Sequence, residues 1–309
     1  MKLAPSSGDV TLRQKAGEAV ALLRDFADRR HIEPEAPAAL AELDEYARVL
    51  ERHAGRSLAG ARVLEIGYGA RPWRLIGLRS MGVDAIGVDA EVPILRGSPS
   101  EYLEAYRRNG LERMAKSLLR RTLFDRRERR AFRAELERRG LEERADPEAF
   151  LVSDAADLDL ADGSLDLIVS EDVFEHIARG SLERLLPAMA RWLRPGGLAL
   201  IRPNVFTGIT GGHLVEWYRS SFERPGLVRR SEPWEHLRGR RFTANTHLNG
   251  LTRSDYRRLF SAHFEILDEQ VKLPGLGREF LTPDVAAELS AWDEDELFSN
   301  QVLFVLRPQ

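Results

Sequence analysis

The sequence predicts an α/β protein built on a doubly wound, mostly parallel sheet. Short apolar runs of strand length alternate with segments of helical periodicity, which is typical of right-handed βαβ units. The first of these runs is followed directly by a Gly-x-Gly turn, and two more strand-like runs come late in the chain. With 309 residues, the chain is long enough for one large domain that carries additions.

Seven segments have the length and composition of strands. The first five are short and apolar, as expected of strands buried on both faces of a parallel sheet. They span residues 61–66, 83–88, 150–153, 165–170 and 198–202, and two later strands are predicted at residues 264–271 and 302–306. The predicted sheet therefore has seven strands.

Helices are predicted between the strands and ahead of the first one. The segments are residues 11–29, 38–54, 73–81, 181–193 and 254–261. In the second of them, apolar residues recur at intervals of three and four, the pattern of one buried helix face. We interpret residues 1–57 as a helical N-terminal cap and residues 58–309 as the main domain.

Three intervals are too long to be simple connections. They are residues 96–149, 205–251 and 273–300. The first contains 15 basic and 11 acidic residues, and this interleaving indicates a solvated helical face with internal ion pairs. It could serve as a lid or as the arm of a homodimer. The other two are expected to shape an acceptor pocket.

Composition limits the classes of function. The 46 Lys and Arg against 49 Asp and Glu give a formal net charge of −3, so nucleic acid is not the expected partner. The absence of cysteine excludes a disulfide framework, a thiolate zinc site and a cysteine nucleophile. With no apolar run near ~18 residues and no signal-peptide core, we expect a soluble, cytoplasmic protein without a membrane span.

Residues that follow the strands predict a ligand site, because the crevice of such a sheet lies at the carboxyl ends of its strands. Gly67 and Gly69 follow the first strand, where backbone can pass close to a ligand at a helix N-terminus. Asp89 ends the second strand, where an acid accepts hydrogen bonds from ribose hydroxyls. This pattern predicts a ligand that contains a nucleoside.

The nature of the ligand depends on two residues near the glycines. A dinucleotide fingerprint has a third glycine at the position of Pro72. Glu65 lies two residues before the first glycine, where its carboxylate would repel a pyrophosphate. A ligand with a ribose and an ammonium group but no phosphate fits better, which favours S-adenosylmethionine over a nicotinamide dinucleotide.

Five motifs in order then resemble class I S-adenosylmethionine-dependent methyltransferases. They are VLEIGYG (63–69), Asp89, SDAA (153–156), LDLIVSEDVFEHI (165–177) and LRPGGLAL (193–200). The resemblance covers residues 61–204 and the final strands. It implies S-adenosylmethionine as cofactor and a last strand that inserts antiparallel beside the fifth. The cofactor-binding residues it implies are Glu65, Gly67, Tyr68, Gly69, Asp89, Asp154, Ala155 and Glu171. Arg71, where the family often has a third glycine, and the insert at 96–149 depart from the pattern.

The resemblance further implies in-line transfer of a methyl group, for which a hydroxyl acceptor needs a general base. His213 and His176 are the predicted catalytic residues, although each could equally be a pocket wall or an ordinary loop histidine. The predicted substrate-binding residues are Arg202, Asn204, Glu216, Trp217 and His247. His213 and Glu216 have a spacing that could share a metal ion on a helix, but no other pair supports them, so no metal is predicted.

The leading hypothesis is O-methylation of a small molecule, such as a sugar or a secondary metabolite. The long segment after the fifth strand favours an enclosed pocket over a flat surface for a macromolecule. N-methylation, methylation of a macromolecule and a non-catalytic protein that binds S-adenosylmethionine remain open alternatives.

Overall fold

The computed structural model describes residues 36–123, 125–223, 227–239 and 247–309. The helix predicted at residues 11–29 lies outside these ranges, as does much of the N-terminal cap. All seven predicted strands are present, each within a few residues of its predicted bounds. They are β1 (Arg62–Ile66), β2 (Asp84–Asp89), β3 (Phe150–Val152), β4 (Leu165–Glu171), β5 (Leu193–Arg202), β6 (Phe264–Val271) and β7 (Val302–Pro308).

The strands form one sheet in the order β3-β2-β1-β4-β5-β7-β6. β1 pairs in parallel with β2 and with β4, and β2 pairs in parallel with β3. The last strand is antiparallel, which confirms the predicted doubly wound, mostly parallel fold. The strand order reverses between β1 and β4, and ligands of open α/β sheets bind at such a reversal.

β5 begins earlier than expected. The helix before it, α5 (Arg179–Trp192), ends directly at the strand, and residues 193–197, ahead of the predicted strand, lie within β5. Arg194, at the start of the strand, forms an ion pair with Asp166 of β4. Asp166 is 2% exposed and also accepts a hydrogen bond from Arg56. The ion pair with this buried acid therefore stabilises the first residues of β5. The sequence pattern does not indicate this contact.

The described chain divides into two compact units. The N-terminal unit contains residues 36–171, 187–200 and 307–309, and the C-terminal unit contains residues 172–186 and 201–306. Helices of the N-terminal unit are α1 (Ala36–Ala54), α2 (Trp73–Ser80), α3 (Pro99–Leu123) and α4 (Asp125–Arg138). The buried face predicted for α1 is present, with Leu40, Leu43, Tyr46 and Leu50 at most 1% exposed.

The insert at residues 96–149 consists mainly of α3 and α4, with a kink in α3 at Gly110. Internal ion pairs lie along both helices, including Glu104 with Arg108 and Glu135 with Arg139. These pairs confirm the prediction of a solvated helical face. The insert is anchored to the rest of the N-terminal unit by the ring of Phe132, 5.0 Å from that of Trp73.

In the C-terminal unit, the two remaining long intervals fold together. They carry the short helices α6 (Arg219–Phe222), α7 (Glu235–Arg238), α9 (Pro283–Glu288) and α10 (Glu294–Leu297), while α8 (Arg253–Ser261) precedes β6. One apolar cluster joins the two intervals, with Ile209, Trp217 and Trp234 from the first and Val285, Leu289, Leu297 and Phe298 from the second. The two intervals therefore share a core.

Candidate functional site

The predicted glycine loop follows β1 in the expected conformation. Gly67 has φ 81° and Gly69 has φ 63°, values in the left-handed region that favour glycine. The Gly67 N–H donates to the carbonyl of Val88 at 2.7 Å, and the Gly69 N–H donates to Asp89 Oδ2 at 2.8 Å. The turn after β1 is therefore joined to the end of β2.

Asp89 is oriented by backbone donors on both oxygens. Its Oδ2 accepts from Gly69, and its Oδ1 accepts from the N–H of Glu91 at 2.8 Å. Burial raises the pKa of the Asp89 carboxyl, although these hydrogen bonds oppose the shift. The structure thus brings the acid and the glycines together, as the 20-residue spacing predicts.

Glu65 is almost completely buried beside the glycine loop, at 1% exposure. Its Oε1 accepts from Arg74 Nε at 3.1 Å, and Arg74 also pairs with Glu42 at 3.0 Å. Burial raises the pKa of Glu65, and the charge of Arg74 opposes that shift. Within the described part of the chain, Glu65 Oε2 has no hydrogen-bond partner. An orphaned, buried carboxylate oxygen suits the ammonium group of S-adenosylmethionine, so the residues present fit this cofactor.

Arg74 was missed by the sequence analysis. It lies in the first turn of α2. A spacing of nine residues from Glu65 does not by itself indicate that the two side chains form an ion pair. The signal that could have found it is the charge balance of the loop, because a buried carboxylate requires a cation or several donors nearby.

Tyr68 is buried beneath the loop. Its hydroxyl lies 3.1 Å from the carbonyl oxygens of Glu91 and Leu151, and its ring meets the edge of Phe150 at 5.4 Å. These contacts join the loop to the ends of β2 and β3. The Tyr68 side chain thus stabilises the loop, and a contact of Tyr68 with the cofactor stays a prediction.

The other predicted cofactor residues follow β3 and end β4. Asp154 accepts from the Ala156 N–H at 2.9 Å and so caps a 3₁₀ turn that begins at Ala155. Glu171 ends β4, is 3% exposed and accepts a hydrogen bond from the hydroxyl of Tyr46 at 2.5 Å. All eight predicted cofactor-binding residues therefore lie at or after the carboxyl ends of β1 to β4, within the N-terminal unit.

A second polar cluster lies in the C-terminal unit, and it contains both predicted catalytic histidines. The Nε2 atoms of His176 and His213 each lie 3.9 Å from Glu175 Oε1. The two imidazole rings are perpendicular, with centroids 4.9 Å apart. Glu175, which is 4% exposed, was not singled out from the sequence, because an acid beside a histidine is common in any helical turn.

Local geometry explains how His213 reaches this cluster. His213 has φ 52°, which is uncommon for a residue with a side chain and costs free energy unless the surroundings hold it. Its N–H donates to the carbonyl of Thr210 at 3.0 Å. Gly211 has no room for a side chain, since a Cβ there would lie 2.3 Å from the carbonyl oxygen of Phe206. Gly211 thus belongs to a tight turn that presents His213.

Both imidazoles are held neutral. Burial lowers the pKa of His213 to about 3, and the neighbouring His176 and His236 add to the effect. Burial also lowers the pKa of His176. His176 Nδ1 lies 3.0 Å from the carbonyl oxygen of His247, so Nδ1 carries the proton and Nε2 keeps its lone pair. The predicted residue His247 contributes through its backbone.

The remaining predicted substrate residues lie in the C-terminal unit. Arg202 ends β5 at 8% exposure, and Asn204 Oδ1 accepts from the Thr210 hydroxyl at 2.8 Å. Glu216 accepts from the Ser231 N–H at 2.8 Å, and Trp217 donates from Nε1 to the hydroxyl of Ser231 at 2.9 Å. Glu216 and Trp217 thus stabilise their own loop, while their acceptor contacts stay predictions. The cluster around His213 contains Glu175 instead of Glu216.

His236 provides a test of these burial effects. Its Nε2 lies 2.8 Å from the carbonyl oxygen of Phe206, and burial lowers its pKa from 6.5 to about 4. As the pH falls, the His236 imidazole is therefore protonated near pH 6.5 in the unfolded chain but only near pH 4 in the folded chain. We expect this group to reduce the free energy of unfolding by about 3 kcal/mol as the pH falls over that range.

The variant His236→Gln keeps a donor for Phe206 and removes the titration. We measure the free energy of unfolding with denaturant between pH 7 and pH 4. It should vary less steeply with pH in this variant than in the unmodified chain, by the slope that corresponds to about one bound proton. Equal slopes in the two proteins would contradict the shift.

A family model for a methyltransferase domain matches residues 39–267, most of the chain. The chain therefore belongs to this methyltransferase family. Membership confirms the methyltransferase class that the motifs predict.

Two curated relatives match a shorter segment. Both are described as uncharacterized methyltransferases, from Mycolicibacterium gilvum (strain PYR-GCK) and Mycobacterium ulcerans (strain Agy99). The first is 42% identical over 65 residues, which is 21% of this chain and 25% of the relative. The second is 40% identical over 67 residues, which is 22% of this chain and 26% of the relative. The chain thus spans about a quarter of the length of the curated relatives it matches.

Solved structures similar to this chain include two methyltransferases. Geranyl diphosphate C-methyltransferase from Streptomyces coelicolor A3(2) is 14% identical, with a TM-score of 0.43 over 86% of this chain and 77% of that one. A TehB-like SAM-dependent methyltransferase from Corynebacterium glutamicum is 12% identical, with a TM-score of 0.42 over 96% of this chain and 100% of that one.

Among the described residues, no helix has both the length and the apolar character needed to cross a membrane.

Proposed function

We propose that this protein transfers the methyl group of S-adenosylmethionine to a hydroxyl group of a small molecule, such as a sugar or a secondary metabolite. The observation that carries this proposal is the pair of neutral histidines, His176 and His213, beside the buried carboxylate of Glu175. A hydroxyl must lose its proton as it is methylated, and neutral imidazole is the side chain best suited to accept a proton near neutral pH.

The N-terminal unit supplies the donor side of the reaction. The sulfonium group of the cofactor provides an activated methyl group. We assign Asp89 to accept hydrogen bonds from the ribose, and Glu65 Oε2, which has no hydrogen-bond partner among the described residues, to accept one from the ammonium group. The glycine loop lets backbone approach the cofactor closely. In this proposal these residues bind and orient the donor. Alignment of the reacting atoms contributes strongly to the rate of such a displacement.

The acceptor side depends on His213 as the predicted base, with His176 as the second candidate. The acceptor oxygen forms a bond to the methyl carbon while the carbon–sulfur bond breaks. The hydroxyl proton passes to an imidazole Nε2, and S-adenosylhomocysteine leaves. A low pKa keeps His213 ready to accept at every pH above about 4, although it also makes the imidazole a weak base.

The test is a screen of hydroxylated acceptors, including sugars and phenols, alongside matched amines. Mass spectrometry detects a gain of about 14 Da for each methyl group that replaces a hydrogen. We expect turnover on a hydroxyl, and we expect His213→Gln to lower kcat by about 100-fold while calorimetry shows unchanged affinity for S-adenosylmethionine.

The variant His263→Gln is the matched control, because His263 lies between α8 and β6 and is not part of the cluster. Its kcat should equal that of the unmodified protein. Methylation of amines alone would replace the proposal with N-methylation. Donor binding without turnover on any acceptor would point to a non-catalytic protein.

The proposed partner remains a small molecule rather than nucleic acid, and a cytoplasmic location remains a prediction. A homodimer through residues 96–149 also remains a proposal. It is supported by apolar side chains that are at least 45% exposed on α3, namely Leu103, Tyr106, Leu111, Leu118 and Leu119. Exposed apolar side chains gathered on one helix are typical of a surface that contacts a partner.

A further inference from the structure

We propose that Glu175, His176 and His213 form a binding site for a divalent transition-metal ion. Each of the three side chains offers one ligand atom, and these atoms all lie within 4.8 Å of one another. Among the described residues, this is the group of histidine and acidic side chains with spacing that suits a metal ion.

The distances are compatible with a single ion. A carboxylate oxygen or an imidazole nitrogen binds such an ion at about 2.0–2.2 Å, so two ligand atoms of one ion lie at most about 4.4 Å apart. Glu175 Oε1 lies 3.9 Å from His176 Nε2 and 3.9 Å from His213 Nε2. All three ligand atoms lie within 4.8 Å of one another, so they would have to move closer together as an ion binds.

The ligand atoms are also in the required chemical form. His176 Nδ1 donates to the carbonyl oxygen of His247, which leaves the Nε2 lone pair available. Metal-binding histidines almost always use their second nitrogen in this way, because the hydrogen bond fixes both the tautomer and the orientation of the ring. The backbone of His247 therefore acts as the outer partner of this ligand.

Charge favours a cation in the same place. Glu175 is 4% exposed, and burying a carboxylate costs free energy that a nearby positive charge recovers. The strained φ of His213, 52°, brings a second imidazole to this carboxylate. Backbone strain of this kind is found at functional sites, where the surroundings hold the residue in place.

The mixed ligand set indicates the class of ion. Imidazole suits zinc, iron, copper and nickel, whereas magnesium and calcium prefer oxygen ligands alone. Two histidines and one glutamate are also a ligand set of catalytic zinc, which keeps a further position open for water or substrate. The proposed ion is therefore of the zinc class and has an open coordination position.

The role of the ion rests on the proposed function. A hydroxyl bound at the open position would have a lowered pKa, would release its proton to water and would accept the methyl group through its oxygen. His213 would then be a ligand and not a base. The site itself does not depend on this role, since the ion can be bound without donor or acceptor.

The test uses the full-length protein, stripped of metal with a chelator and dialysed. Zn²⁺ is titrated by calorimetry in the absence of S-adenosylmethionine and acceptor, and the visible absorption of bound Co²⁺ reports the coordination. We expect one ion per chain and a higher midpoint of thermal unfolding with Zn²⁺. Glu175→Gln and His213→Asn should each weaken Zn²⁺ binding by at least about 100-fold (~2.7 kcal/mol), and His263→Gln should leave it unchanged.

The unmodified protein decides the question even if a variant fails to fold. Absence of stoichiometric Zn²⁺ and Co²⁺ binding, or equal binding by folded Glu175→Gln, would overturn the site. Hydroxyl methylation that persists in the chelator-treated protein would overturn only the catalytic role of the ion. Metal binding without hydroxyl methylation would leave the site intact and contradict the proposed function instead.

Discussion

Asp89→Ala is expected to weaken the binding of S-adenosylmethionine by about 100-fold (~2.7 kcal/mol). Hydrogen bonds to a charged group contribute about 1.5–3 kcal/mol each, and the variant removes the acid proposed to hold the ribose. It also removes the acceptor of the Gly69 N–H, so the glycine loop loses one of the contacts that join it to β2. Isothermal calorimetry with S-adenosylmethionine and S-adenosylhomocysteine measures the change.

The stability of this variant should be largely preserved. Burial raises the pKa of Asp89, which means that the folded state bears a cost for keeping this carboxylate ionised. A group retained at such a cost is a candidate for function. Asp84→Ala is the matched control, because Asp84 lies on the same strand with its side chain 66% exposed. Equal donor affinity in the two variants would contradict the assignment of Asp89.

Trp234→Ala is expected to lower the free energy of unfolding by about 4 kcal/mol, as for other large core residues replaced by alanine. Trp234 is fully buried, donates from Nε1 to the carbonyl of Thr207 at 3.1 Å and packs against Phe298. The variant therefore leaves a cavity and a buried carbonyl without its donor. Denaturant unfolding, followed by circular dichroism, measures the loss.

Trp292→Ala provides the comparison at the edge of the same cluster, where Trp292 is only partly buried. A loss of about 1–2 kcal/mol is expected there, because part of the ring is already in contact with water. A loss below 1 kcal/mol for Trp234→Ala would show that the two long intervals do not share the core described above.

The N-terminal unit was largely predictable because its signals are local. Strand length, apolar composition and the turn residues after β1 are read over fewer than ten residues, and Asp89 follows from the spacing of one βαβ unit. The partners of the buried acids were not predictable in the same way. Arg74 contacts Glu65, and Tyr46 contacts Glu171 across 125 residues of sequence. Such pairs depend on which helix face packs against which strand.

The sequence by itself determined the α/β class, the order of the strands along the chain, the glycine loop with Asp89, and the family to which the chain belongs. These features follow from periodicity and turn chemistry, which act between near neighbours. Only the tertiary structure decided that Glu175 and not Glu216 joins His213, and that the intervals at 205–251 and 273–300 share one core. The physical reason is that burial and side-chain contacts between distant segments are set when the whole chain packs, and no local pattern specifies them.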